Sequence, residues 1–75
     1  MNFAEYTLRE SYLIAIHEHN LKLLKLEHFA SQPVPSDELQ AKLFEIEKQS
    51  KMFDVMKAKI EIDKLELELQ KYKKE

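Results

Sequence analysis

His17-Glu18-His19 is a short run whose residue types could ligate a metal, but its spacing argues against that chemistry. Neighbouring positions on a helix point about 100° apart, so His17 and His19 diverge by about 200° and cannot share an ion. A helical zinc pair needs histidines at i and i+4 around a glutamate, whereas the residue four after His17 is Leu21. His28 shares a face with His17 but lies about 16 Å further along a helix axis, so only a symmetry mate could unite them. Leu13, Leu21 and Leu24 flank His17. The expectation is a half-buried imidazole hydrogen-bonded across the fold to Ser50, with no metal and no cofactor.

Nucleophilic chemistry finds no better footing. Ser11, Ser31, Ser36 and Ser50 have no base and orienting partner evident in the sequence, and no catalytic residue is assigned. Cysteine and glycine are both absent. That removes thiol catalysis, disulfides, cysteine zinc sites, the glycine-rich phosphate cradle and the nucleophile elbow together. The sequence therefore reads as non-enzymatic.

Charge narrows the partners. The 75 residues carry twelve basic against fourteen acidic side chains, a net charge of −2, and Arg9 is the lone arginine. A nucleic-acid binder draws its affinity from neutralised phosphates and shows a basic excess, which is missing here. Lys48, Lys51 and Lys59 lie toward Lys71, Lys73 and Lys74, but Glu66 interrupts them. A nucleic-acid-associated regulator is kept only as an alternative. No apolar run approaches the length of a membrane span, and the N-terminal residues lack the basic cluster of a signal peptide. The expected setting is the cytoplasm.

Two helices must position whatever acts here. Ser31-Gln32-Pro33-Val34-Pro35-Ser36 concentrates the breakers, because each proline disfavours helix at the residue before it. The chain divides into a helix over 2–31, a loop over 32–35 and a helix over 36–74, forming one all-α domain. Asn2 with Glu5 and Thr7 with Glu10 both match a capping-box spacing, Asn2 being favoured because Phe3 and Tyr6 then join the apolar face; Ser36 can cap the second helix, with Asp37 and Glu38 in its first turn. Glu5–Arg9, Glu18–Lys22, Glu38–Lys42 and Glu47–Lys51 are i,i+4 pairs in the favourable order. Lysines 71, 73 and 74 complement the dipole at the far end.

Two apolar stripes run down the second helix. Leu39, Ile46, Phe53, Ile60 and Leu67 recur every seven residues, while Val55, Ala58, Ile62, Leu65, Leu69 and Tyr72 form a separate 4-3 alternation. The first helix is doubled too, with Phe3, Tyr6, Leu13, Ile14, Leu21 and Leu24 on one side and Leu8, Tyr12, Ile16, Leu23 and Leu26 on another. A hairpin helix hides a stripe little more than about 100° wide, so a second covering helix is implied for each.

The short loop favours an antiparallel hairpin in which paired residue numbers sum to about 67. Leu24 then meets Leu43, Leu21 meets Ile46, Ile14 meets Phe53, and Phe3 lies near Lys64. Beyond Lys64 the second helix would overhang by about two and a half turns, leaving Leu65, Leu67, Leu69 and Tyr72 uncovered. Met52 and Met56, beside Phe53, are expected in the core. The protein-binding face is assigned to Val55, Ala58, Ile62, Leu65, Leu69 and Tyr72, with Leu8, Tyr12, Ile16 and Leu23 on the first helix. A coiled-coil-like hairpin completed by homodimerisation into a four-helix bundle, or by a partner's helices, is the expected assembly. The functions this fits are adaptor, chaperone or inhibitor; an accessory subunit of an enzyme complex is an alternative.

Overall fold

The computed structural model describes residues 2–73. Two long helices, α1 (Phe3–Ala30) and α2 (Glu38–Gln70), are joined by a short loop, and a single 3-10 turn over Lys71–Lys73 extends α2. The molecule is a rod of 59 × 14 × 14 Å, two helices wide and one thick. The expected ending of α2 at Lys74 lies outside the described residues.

Side-chain chemistry sets the ends. The Asn2 side chain accepts from the Glu5 amide at 2.7 Å, capping α1 where the sequence placed the cap. Glu5 does not return the bond of a capping box; its carboxylate takes the Arg9 guanidinium at 2.9 Å instead. At the other end the Ser31 hydroxyl donates to the His28 carbonyl at 2.7 Å, and Pro33 follows, with no N–H to continue the ladder. The α2 cap is Asp37 rather than Ser36: its carboxylate accepts from the Gln40 amide at 2.9 Å. An acceptor with full negative charge is favoured at the positive helix pole, and the prolines hold Ser36 one step too early.

The helices are antiparallel. Near the loop the Phe29 and Phe44 rings stack at 4.6 Å; far from it the Tyr12 hydroxyl donates to Glu66 at 3.2 Å. These contacts correct the expected register. A sum of about 67 would have set Glu38 opposite Phe29 and Val55 opposite Tyr12; the side chains they touch, Phe44 and Glu66, lie further along α2, so the pairing is shifted toward its C-terminus. The shift removes the expected overhang, since Leu69 and Tyr72 are half-buried beside the first turns of α1.

The seam follows the 4-3 alternation. Ala41, Phe44, Lys48, Lys51, Val55, Ala58, Ile62, Leu65, Leu69 and Tyr72 on α2 face Leu8, Tyr12, Ala15, Ile16, His19, Leu23, Leu26 and Phe29 on α1, all at least partly covered. Two apolar positions per heptad are what knobs-into-holes packing uses. Burial is deepest at Ala15, Ala58 and Ile62. Of these, Ala15 and Ala58 are small side chains that permit a close helix approach. Lys48, Lys51 and His19 interrupt the apolar run, and Lys51 resolves its position by lying over the Phe29 ring with its ammonium 5.3 Å from the centroid.

Candidate functional site: two outer apolar faces

The residues assigned from sequence to a partner, Val55, Ala58, Ile62, Leu65, Leu69 and Tyr72 with Leu8, Tyr12, Ile16 and Leu23, are the ones the chain uses to pair with itself. The stripe expected inside the hairpin lies outside it. The two stripes exchange places, and the one left exposed is the heptad of large residues.

Its position follows from helical geometry. Phe53 stands two residues from both Lys51 and Val55, so at about 100° per residue it points away from each by about 160°. Ile46 lies in the same way between Phe44 and Lys48, Ile60 between Ala58 and Ile62, and Leu67 between Leu65 and Leu69. Leu39, Ile46, Phe53, Ile60 and Leu67 therefore form one line on the back of α2, with Ile46 64% and Phe53 54% exposed. Leu43, Met52 and Met56 widen it. Both methionines, expected in the core, are exposed because the seam runs along a different face.

The back of α1 carries the counterpart. Phe3, Tyr6, Leu13, Ile14, Leu21 and Leu24 are all exposed, Phe3 at 82%. Ile14 lies two residues from both Tyr12 and Ile16, and Leu21 two from both His19 and Leu23, so this face too points away from the seam. His17 and Ser50 are both exposed and do not meet across the hairpin, which corrects the expected His17–Ser50 bond; His17 sits on the outer face of α1, and the half-buried histidine is His19.

Polar groups define the edges between these faces. An open groove of about 470 Å³ is lined by Arg9, Tyr12, Leu13, Glu66, Leu69, Gln70 and Lys73. Within it, partial desolvation and then the hydrogen bond to Glu66 push the Tyr12 phenol above its ordinary pKa. A hydrogen bond to Glu10 does the same for Tyr6 on the outer face, and one to Asp63 raises Lys59. On the opposite edge Lys22, Lys25 and Lys51 meet around a shallow cleft with Asp54. Glu5–Arg9, Glu38–Lys42 and Glu47–Lys51 pair as their spacing predicts, joined by Asp54–Lys57 and Lys59–Asp63. Exposed pairs like these support helix and contribute little else.

Among the described residues no three His, Asp or Glu side chains are grouped to hold a metal ion, and no helix is long and apolar enough to cross a membrane. Compared with protein-family models, curated proteins and solved structures, the chain matches none of them.

Proposed function

We propose that this chain is a small non-enzymatic protein-interaction module of the adaptor, chaperone or inhibitor type, acting through the outer faces of its helices. One observation carries the reading: large apolar residues occupy the positions furthest from the seam on both helices, where a self-sufficient hairpin would place charge. Exposed apolar surface of this extent is costly in water and is kept where something covers it. The face on α1, with Phe3, Tyr6, Leu13, Ile14, Leu21 and Leu24, suits the apolar stripe of a partner helix, and that partner could be an enzyme for which this chain is an accessory subunit. The lack of cysteine suits a reducing compartment, and the reading sets the module in the cytoplasm.

The test is affinity capture from the host with the parent chain and with Ile14→Lys/Leu21→Lys. Both substituted positions lie outside the seam, so circular dichroism should report an unchanged fold. A protein recovered reproducibly and stoichiometrically by the parent and lost with the variant supports the reading. Equal recovery by both, or none by either, overturns it for this face.

A further inference from the structure

The outer stripe of α2 is a palindrome. Reading Leu39, Ile46, Phe53, Ile60, Leu67 from either end gives the same residues in the same order, at the same seven-residue spacing, centred on Phe53. We infer that this face is built to receive a second copy of the same chain, α2 against α2 antiparallel, about a two-fold axis passing beside Phe53. The inference rests on the reading of the outer faces as binding surfaces, and it assigns one of them.

A two-fold contact sets residue i against j and j against i, so a helix that pairs with itself antiparallel must be complementary to its own reversal. Here Phe53 meets its mate's Phe53, Ile46 meets Ile60, and Leu39 meets Leu67. The flanks agree on one edge. In this register Lys42 comes level with the mate's Asp63, two opposite-charge encounters about the axis, while Glu45 lies midway between the mate's Lys59 and Asp63. Met52 and Met56 sit beside the axis on that same edge, exposed and able to fill an irregular gap. The other edge carries Glu47, Asp54 and Glu61; there Asp54 would lie beside its mate, while Glu47 comes as near the mate's Lys57 as its Glu61, so the methionine edge is the better matched. The Lys57 ammonium already lies 5.1 Å from the Phe53 centroid, covering that ring from the acidic side and leaving the methionine side open.

Area points the same way. The hairpin exposes 6058 Å², whereas a monomer of its 9.0 kDa mass is expected to expose about 4,900 Å². The excess of roughly 1,200 Å² exceeds the about 800 Å² that each partner hides in a standard interface. The resulting assembly is not the compact four-helix bundle expected from sequence. In a compact bundle each helix contributes adjacent flanks; here the two faces of α2 are opposed, so the helices line up α1–α2–α2–α1 with both α1 outer faces at the ends. Such a dimer offers two identical α1 faces, one at each end.

Because the chain has no cysteine, single cysteines can read the contact directly. Gln49→Cys and Met56→Cys should each remain largely monomeric when oxidised alone but cross-link when mixed. Either one alone pairs about 9–12 Å out of register, beyond the reach of a disulfide. In sedimentation equilibrium the parent should dimerise at micromolar concentration, and Phe53→Lys should weaken the dimer at least a hundredfold while the monomer keeps its helicity. A parent that stays monomeric at 100 µM, self-cross-linking by Gln49→Cys as in a parallel pair, or a dimer indifferent to Phe53→Lys would each overturn the inference. Capture of a partner through Ile14 and Leu21 is read separately, so failure of the dimer and failure of the α1 face are distinguishable.

Discussion

The two faces of α2 differ in a way that inverts ordinary expectation: the covered one is the poorer in large apolar groups. Inside, the seam contains Ala41, Lys48, Lys51 and Ala58 among its ten positions; outside, every position of the heptad is Leu, Ile or Phe. The number of apolar contacts per heptad decides between them. The inner stripe offers two positions per heptad and so interdigitates with a partner along its whole length, while the outer offers one, with Leu43, Met52 and Met56 as partial seconds. Size and strict repeat mark an apolar stripe without saying which side of the hairpin it takes. A hairpin with a small-residue centre and lysines in its seam has little apolar surface to hold it together.

The largest effects should come from the seam. Ile62 is 8% exposed, the one large side chain in the buried core; Ile62→Ala should lower stability by about 2–4 kcal/mol, enough to abolish a cooperative thermal transition in so small a core. Leu65→Lys/Leu69→Lys should likewise unfold the hairpin rather than merely release a partner. Matching substitutions outside, such as Ile60→Lys, should change monomer stability by no more than about 0.5 kcal/mol, measured by urea denaturation at concentrations below dimerisation. Equal losses on both faces would break the comparison.

A gain should follow from repairing the seam. Lys48 is half-buried at a position that a leucine would fill, and Lys48→Leu should stabilise the hairpin by about 1 kcal/mol. The same change at the exposed Lys64 should do nothing for the monomer. The smallest effect is at Tyr12. Its phenol titrates above the unfolded value of about 10, so its contribution to stability is whole below pH 10 and is lost as pH rises through the folded value. The stability difference between parent and Tyr12→Phe should therefore hold constant at neutral pH and shrink in alkaline solution. A difference that grows with pH would contradict the Tyr12–Glu66 bond.

Much of the fold is legible in the sequence because local chemistry writes it: the prolines at 33 and 35 place the turn, Asn2 caps α1, and three of the i,i+4 pairs form as spaced. Both stripes are visible as well. Their assignment is not, because it depends on a register that the loop alone does not fix. A tight turn would bring Leu24 to Leu43, but the loop reaches Asp37 before α2 begins, and the Phe29–Phe44 stack then carries every later pairing toward the C-terminus. The residue type that could have decided it is alanine at position 15, a small side chain that is buried together with Ala58 and Ile62.

Thiol reactivity of single cysteines along α2 tests the exchanged faces most directly. Cysteines placed at positions 53, 58, 60, 62, 65 and 67 are exposed to a maleimide reagent at concentrations low enough for the monomer. The account predicts slow modification at 58, 62 and 65, fast modification at 53, 60 and 67, and protection of 53 and 60 appearing as concentration rises. Fast reaction at 58, 62 and 65 with protection at 53, 60 and 67 in the dilute monomer would put the large heptad inside the hairpin and contradict it.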